Sequence, residues 1–204
     1  MGINFVLLLH KYFPLLTDYQ IQQLVELKPI YTYRNERINL ISRKDIDNFY
    51  IHHVLHSLSL YYLLANDSPL RIIDIGCGGG FPGVPLAICF PQHRFTLIDS
   101  IGKKIKVVNE VCQSMKIDNI KTIHNRAEEH NAKYDMVISR AVAELPKLIQ
   151  WTKNYKASQL LALKGGDVFT EMITIPKDKI NIENISDRFK EVYFQSKMIV
   201  KYKY

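Results

Sequence analysis

The chain contains few cysteines and few glycines, and it lacks any hydrophobic run of membrane-spanning length. Its 204 residues include 3 cysteines, 9 glycines and 1 tryptophan. Cys77, Cys89 and Cys112 show no C-x-x-C spacing, which argues against structural zinc and indicates reduced thiols in a cytoplasmic protein. Because no stretch is long enough to cross a bilayer, no membrane-spanning segment is expected.

The N-terminal apolar run at residues 3–9 is short. No basic residue precedes it and no small-residue cleavage pattern follows it, so we interpret it as the start of a helix rather than a signal peptide. A hydrophobic content of 47% is sufficient for one sizeable core. The net charge of +7 favours a nucleic acid or an anionic surface as partner, although a generic basic protein remains the alternative.

The scarce glycines are concentrated in one place. Five of the 9 lie between Gly76 and Gly83, directly after an apolar run that ends around Asp74. An apolar helix pattern begins at the last of these glycines. A strand, a glycine turn and a helix in this order form a corner that binds nucleotides, because the backbone can turn sharply with no side chain in the way.

Two nucleotide motifs fit this corner. Gly78, Gly80 and Gly83 match the dinucleotide pattern G-x-G-x-x-G, but Gly76 holds the place directly after the strand and Pro82 removes a backbone N–H. The motif D-x-G-x-G-x-G of S-adenosylmethionine-dependent methyltransferases is filled completely, by Asp74, Gly76, Gly78 and Gly80. The second interpretation therefore fits better.

Asp99 supports a nucleoside ligand. It ends a predicted strand roughly twenty residues after the glycines, where an acid commonly accepts from both hydroxyls of a ribose. This feature does not distinguish S-adenosylmethionine from NAD, since both contain that ribose. An aspartate that only caps the next helix is the structural alternative.

The pattern of the whole chain predicts an α/β fold with a helical N-terminal extension. Residues 18–27 and 45–64 show helical periodicity, whereas strands and helices alternate from residue 70 onward. Strands are predicted at 70–75, 94–98, 119–124, 134–138 and 157–163, and helices at 83–90, 101–116 and 142–153. Residues 189–194 and 198–202 are expected to form a closing antiparallel pair. We expect an extension over 1–66 packed on a domain over 67–204.

Several segments together resemble one enzyme family. They are Asn35–Ser42, His53–Leu58, Ile73–Gly76, Phe81–Ile88, Leu97–Ser100 with Lys103-Lys104, Asn125–Glu129, Ser139–Ala141 and Leu163–Gly165. In this order they are similar to the motifs of the ribosomal RNA small subunit methyltransferase G family, and the resemblance covers nearly the whole chain. It implies a Rossmann-like methyltransferase fold with a mostly parallel seven-stranded sheet and helices on both faces.

The resemblance also implies an activity. Members of the family transfer a methyl group from S-adenosylmethionine to N7 of a specific guanine in the decoding-centre loop of 16S rRNA, so the small ribosomal subunit is the expected partner. Guanine N7 carries an exposed lone pair, so neither a general base nor a metal is expected, and catalysis would rest on alignment and electrostatics. An NAD-dependent oxidoreductase and a non-catalytic RNA-binding protein with the same fold are the alternatives.

Site residues follow from the matching motifs. The resemblance implies cofactor contacts from Asp74, Gly76, Gly78, Phe81, Asp99, Ala127, Glu128 and Arg140. Arg140, at the end of the fourth strand, is also the expected catalytic residue, with a helix salt bridge as its structural alternative. Arg126, Lys103 and Lys164 are candidate RNA contacts. His52, His53 and His56 are interpreted as packing or capping residues, and Lys197 as part of an RNA surface or of a polar strand face.

Overall fold

A seven-stranded sheet forms the centre of the computed structural model, which describes residues 2–36, 38, 40–65 and 68–204. In chain order the strands are β1 (Arg71–Ile75), β2 (Arg94–Asp99), β3 (Ile120–His124), β4 (Met136–Arg140), β5 (Gln159–Gly165), β6 (Ile180–Asn184) and β7 (Lys197–Lys203). Their spatial order is β3-β2-β1-β4-β5-β7-β6. The first five strands are parallel, and β7 lies antiparallel between β5 and β6. The expected mostly parallel sheet is confirmed.

Helices surround this sheet and precede it. They are α1 (Gly2–Tyr12), α2 (Asp18–Asn35), α3 (His56–Leu58), α4 (Tyr61–Leu64), α5 (Gly83–Cys89), α6 (Gly102–Ser114), α7 (Leu145–Thr152) and α8 (Val168–Glu171). A 3₁₀ turn (Arg43–Asn48) and a π-helical turn (Phe49–Leu55) connect α2 to α3. The segment 45–64, predicted as one helix, is therefore a series of short helical pieces. Within the described ranges, no helix has the length and hydropathy needed to cross a membrane.

The two faces of the sheet carry separate hydrophobic clusters. Ile72 packs with α1, α2, α5 and α6, whereas the next residue, Ile73, packs with α7 and the start of α8. This alternation follows from the two-residue period of a strand, because successive side chains point to opposite faces. Helices cover both faces, as expected from the near-continuous apolar strands.

The N-terminal extension shares the core of the sheet. Leu24 and Leu27 of α2 are fully buried in the same cluster as residues of β1, β2 and α5. The predicted boundary between 66 and 67 lies outside the described residues, as do Arg37 and Asn39 of the quoted N-terminal motif. The division into an extension and a domain stays a prediction, and the shared cluster indicates that both parts unfold together.

The closing pair was predicted with the wrong partner. β7 forms as expected, but it pairs with β5 and with β6, whereas residues 189–194 form no strand. Phe189 and Phe194 are instead both buried, with their ring centroids 5.3 Å apart, and Phe194 lies within a 3₁₀ turn (Val192–Ser196). Burying both rings on the core prevents this segment from adopting the extended alternation of a strand.

The predicted helix at 142–153 begins later, at Leu145. Ala141 has a φ of 51°, a left-handed conformation that interrupts the chain directly after β4. Pro146 then occupies the first turn of α7, where its missing N–H costs nothing. The residues between β4 and α7 are therefore a turn, which leaves the end of β4 open to the edge of the sheet.

We expect Leu24→Ala to destabilise the whole protein. The substitution leaves a cavity in the shared core and should lower the free energy of unfolding by about 2–5 kcal/mol. Leu15→Ala is the matched control, because Leu15 is 83% exposed and its loss should cost less than about 0.5 kcal/mol. Urea unfolding followed by far-UV circular dichroism and by tryptophan fluorescence measures both. Separate transitions for the two probes would contradict a shared core.

Candidate active site

A cavity of about 770 Å³ opens at one edge of the sheet. Its lining includes the last residues of β1, β2, β4 and β5 and the first residue of β7. In open α/β sheets, ligands bind outside the carboxyl ends of the parallel strands, where the strand order reverses. In this sheet the reversal lies between β1 and β4, which is next to the glycine turn.

The glycine turn leaves an open surface in the cavity. Gly78 has a φ of 56°, and a Cβ added there would meet only one backbone oxygen, at 4.0 Å. At Gly80, with a φ of 92°, a Cβ would lie 2.7 Å from a methyl group of Val84 and 3.1 Å from the Tyr31 hydroxyl oxygen. Gly80 is therefore required for packing, whereas Gly78 leaves room for a ligand to approach the backbone.

Asp99 fixes this turn against β2. One carboxylate oxygen accepts the Gly78 N–H at 2.8 Å and the other accepts the Ile101 N–H at 2.8 Å. The residue is 8% exposed and lines the cavity. Each carboxylate oxygen can accept a second hydrogen bond, so Asp99 can support the turn and bind hydroxyl groups at the same time.

Asp74 lies behind the turn and does not line the cavity, so the structure does not support its expected contact with a cofactor. It is fully buried, and one carboxyl oxygen accepts the N–H of Gly83, the first residue of α5, at 2.8 Å. The other oxygen has no hydrogen-bond partner among the described residues. Burial raises the pKa of Asp74 to about 8, against the lowering effects of the Gly83 N–H and of Arg140. The role of Asp74 is to support the turn.

The far end of the cavity is formed by the 3₁₀ turn Ala127–Glu129, which follows β3. The carbonyl oxygen of Ala127 accepts the Tyr155 hydroxyl at 2.6 Å, which fixes this turn to the 3₁₀ turn Lys153–Tyr155 that follows α7. Glu128 and Arg126 line the cavity with half-exposed to exposed side chains, 3.7 Å apart. The structure thus places Ala127 and Glu128, which were predicted to contact the cofactor, and Arg126, which was predicted to contact RNA, in one cavity with Asp99.

Arg140 occupies the middle of the cavity wall, at the end of β4. Its guanidinium donates to the carbonyl oxygen of His52 at 3.1 Å and to Nδ1 of His53 at 3.2 Å, and it lies 5.1 Å from the centre of the Phe81 ring. Burial lowers the pKa of Arg140. Its partners are a carbonyl, a ring nitrogen and an aromatic ring, and the predicted alternative of a helix salt bridge does not occur among the described residues.

Asp45 and two histidines extend the wall beyond Arg140. The two carboxylate oxygens of Asp45 bind His52 Nδ1 at 2.5 Å and His53 Nε2 at 2.7 Å. Burial and the nearby Arg140 lower the pKa of His53 to about 4, so its ring is neutral at pH 7. Neutral His53 donates from Nε2 to Asp45 and accepts from Arg140 at Nδ1. Burial acts to raise the pKa of Asp45, but the hydrogen bonds from the histidines outweigh it and lower that pKa.

Two of the predicted RNA contacts lie in different surroundings. Lys164 lines the cavity but is 8% exposed, and its ammonium donates to the Ala143 carbonyl oxygen and to Glu171, both at 2.6 Å. It is therefore paired within the protein. Lys103 is exposed on α6 outside the cavity lining, whereas its neighbour Lys104 lines it.

Some wall residues gave no usable signal in the sequence. The packing or capping interpretation of His52 and His53 omitted their place in the cavity wall, Asp45 and Tyr193 were not predicted as site residues, and Lys197 was predicted only as part of an RNA surface or of a polar strand face. Asp45 lies in a 3₁₀ turn with no motif, and Tyr193 lies within a segment that was predicted as a strand. A search of the described residues finds no group of three or more His, Cys, Asp or Glu side chains arranged to hold a metal ion.

Two solved structures of methyltransferases are similar in fold to this chain. The chain is similar in structure to precorrin-6y C5,15-methyltransferase from Geobacter metallireducens, with a TM-score of 0.56, 12% identity and coverage of 82% of this chain and 92% of that one. It is also similar to a predicted O-methyltransferase from Agrobacterium tumefaciens, with a TM-score of 0.60, 18% identity and coverage of 74% and 80%. These likenesses show the fold alone, which is the Rossmann-like α/β fold that these two proteins share.

The sequence comparisons are more specific. The family model described as rRNA small subunit methyltransferase G matches residues 20–198. The ribosomal RNA small subunit methyltransferase G of Christiangramia forsetii is 44% identical over 201 residues, covering 95% of this chain and 94% of that protein. Its counterpart in Porphyromonas gingivalis is 42% identical over 202 residues, covering 95% and 91%. The chain belongs to this family, which confirms an S-adenosylmethionine-dependent methyltransferase and excludes the oxidoreductase alternative.

We expect Asp74→Asn to change how stability depends on pH. An aspartate in the unfolded chain has a pKa of about 3.9, so between about pH 4 and 8 folding takes up a proton and the free energy of unfolding falls as pH rises. Asparagine does not titrate, so the variant should lose less stability than the wild type between about pH 5 and 8. Urea unfolding at both pH values measures the difference. Parallel pH dependences of the two proteins would show that Asp74 does not hold a proton in this range.

Proposed function

We propose that this protein transfers a methyl group from S-adenosylmethionine to N7 of one specific guanine in the decoding-centre loop of 16S rRNA. The small ribosomal subunit is its proposed partner and the cytoplasm its proposed location. Family membership supports this activity. The observation that carries it is the open surface of Gly78, which lies beside the Asp99 carboxylate in the same cavity as Arg140.

The cavity lining fits the parts of the cofactor. The residues proposed to bind it are Gly76, Gly78, Phe81, Asp99, Ala127, Glu128 and Arg140, all of which line one cavity. The free acceptor sites of Asp99 suit the two hydroxyl groups of the ribose. Glu128 or the adjacent backbone would accept from the exocyclic amine of adenine, beside Ala127. Asp74 is left out of this set because it supports the turn from behind.

Methyl transfer to guanine N7 needs little acid–base catalysis from protein side chains. When bound, S-adenosylmethionine supplies the methyl group from a positively charged sulfonium. Guanine N7 would provide the electron pair for the new bond while the methyl–sulfur bond breaks and its electrons stay on sulfur, which leaves as a neutral thioether. N7 carries no proton that must leave. The positive charge therefore ends on the base, and no residue is needed as a general base in the transfer. The protein contributes by holding the sulfur, the methyl carbon and N7 in the aligned arrangement that the transfer requires.

Arg140 is the residue that we propose to align them. Two of its N–H groups are used by His52 and His53, so further donors remain for the cofactor and the target nucleotide. The neutral state of His53 keeps a second cation away from this guanidinium. Since positive charge moves onto the base during the transfer, Arg140 orients the reactants rather than stabilising the charge that develops on the purine.

Proposed RNA contacts lie at the rim of the cavity. Arg126 is exposed and lines it, and Lys103 is exposed in the first turn of α6. A positive charge at the start of a helix opposes the helix dipole, so a nearby phosphate would offset an unfavourable placement. Lys164 is proposed to support the wall through Glu171 rather than to contact RNA.

Methyl transfer to isolated small subunits tests the proposed function. Purified protein and tritiated S-adenosylmethionine would be added to subunits from cells that lack the endogenous enzyme. Cleavage of the rRNA at N7-methylguanine should place the label on a single guanine of the decoding-centre loop. Asp99→Ala should weaken cofactor binding at least tenfold, whereas Asp118→Ala, an exposed control outside the cavity, should not. Label elsewhere, or no label despite cofactor binding, would contradict the proposed substrate.

We expect Arg140→Ala to lower kcat/KM by at least about tenfold, since a charged group that makes directed hydrogen bonds contributes about 1.5–3 kcal/mol. Arg94→Ala is the matched control, because Arg94 is exposed at the start of β2, at the opposite edge of the sheet. Initial rates over a range of subunit concentrations from below KM upward give kcat/KM, and urea unfolding measures stability. A loss of stability large enough to account for the loss of activity would show that Arg140 acts only on the fold.

A further inference from the structure

The cavity extends past the proposed cofactor residues to the ends of β5 and β7. Gly78, Asp99 and Glu128 lie over β1, β2 and β3, whereas Leu163–Gly165 and Lys197 lie on the other side of Arg140. This second part of the lining is formed by the carboxyl end of β5 and the beginning of β7, which are hydrogen-bonded neighbours from Gly165 to Lys197. None of these residues belongs to the set proposed to bind the cofactor.

A cluster of rings and one cation forms this part of the wall. The His52 and Tyr193 rings are stacked, with their centroids 3.9 Å apart and an angle of 18° between their planes. The hydroxyl of Tyr193 lies 3.2 Å from Nδ1 of His56, and the ammonium of Lys197 lies 4.9 Å from the centre of the Tyr193 ring. All four side chains line the cavity. A flat ring pair next to a cation is a surface on which an unstacked base can bind.

Lys197 differs from the other lysine nearby. The ammonium of Lys164 is paired with Glu171, whereas the Lys197 ammonium has no hydrogen-bond acceptor or carboxylate partner within the described part of the chain. Gly165 provides the space that it occupies, because a Cβ at Gly165 would lie 2.9 Å from the Lys197 Nζ. At this end of the cavity, beside β5 and β7, the three donors of the Lys197 ammonium therefore remain available.

We propose that this part of the cavity is the subsite for the target base, and that Lys197 donates a hydrogen bond to O6 of the guanine. The inference rests on the proposed function. Guanine presents O6 as a hydrogen-bond acceptor next to N7, whereas adenine presents an amino group, a donor, at that position. An ammonium has no acceptor for this donor, so the two groups cannot form a hydrogen bond. The base would stack on the His52–Tyr193 pair after leaving its own stack in the rRNA. Lys197 thereby selects guanine at the edge that carries the reacting nitrogen.

The same geometry predicts which kinetic constant depends on Lys197. Positive charge grows on the base as the methyl group arrives, so an ammonium at O6 aids binding of the neutral guanine more than the transfer itself. Removing it should therefore raise KM for the subunit more than it lowers kcat. Lysine side chains at the far end of β7 should have no such effect.

The test compares Lys197→Met with Lys197→Arg on two substrates. One is the natural small subunit, and the other carries 2-aminopurine at the target position, which keeps N7 but lacks O6. The wild type should prefer guanine at least tenfold in kcat/KM. Lys197→Met should bring this ratio close to one, mainly through KM, and Lys197→Arg should restore part of it. Lys203→Met, at the exposed end of the same strand, is the control and should behave as the wild type.

The outcomes separate this inference from the proposed function. Failure of the wild type to methylate guanine would contradict the proposed function itself. A wild type that methylates guanine, together with a Lys197→Met variant that keeps the full preference over 2-aminopurine, would overturn the role of Lys197. Gly165→Ala provides a second variant, because the added methyl group would displace the ammonium without removing it. It should lower the preference while cofactor affinity stays unchanged, and an unchanged preference would also contradict the subsite.

Discussion

The glycine turn is held from three sides, and the cavity depends on this restraint. Asp99 binds the Gly78 N–H from β2, and Asp74 binds the first N–H of α5 from β1. From the opposite side, the Tyr31 hydroxyl of α2 donates to a carbonyl oxygen of the turn at 2.6 Å. Since these partners are protein groups, the turn takes its shape before any ligand arrives. Preorganisation of this kind reduces the ordering that binding must otherwise impose.

The N-terminal extension is therefore part of the site rather than an addition to it. Tyr31 fixes the turn, and the segment after α2 provides Asp45 and His53, which hold Arg140 from the other side. This chain of contacts works only with a neutral imidazole, because His53 must accept from a guanidinium while it donates to a carboxylate. Burial keeps its pKa at about 4, so the arrangement persists throughout the neutral pH range.

Local signals in the sequence predicted the parts of the site that single segments build. The glycine turn, the acid at the end of β2 and the alternation of strands and helices are all readable within a few residues. The contacts that join distant segments were not readable. Nothing in the sequence pairs Tyr193 with His52, because this contact arises only when the segment before β7 packs against the N-terminal extension. The segment 189–194 was mistaken for a strand since tertiary burial of its rings outweighs local propensity.

The distribution of charge along the cavity agrees with a reaction in which positive charge moves between reactants. Unpaired cations close to the sulfonium would oppose its charge, and two cations of the wall are held by other groups of the protein. Lys164 is paired with Glu171, and Arg140 lies over the Phe81 ring. The ammonium of Lys197 is left without a carboxylate in the described part of the lining, on the side away from Asp99 and Gly78. Its position separates selection of the base from binding of the cofactor, so that each half of the cavity can be altered without loss of the other.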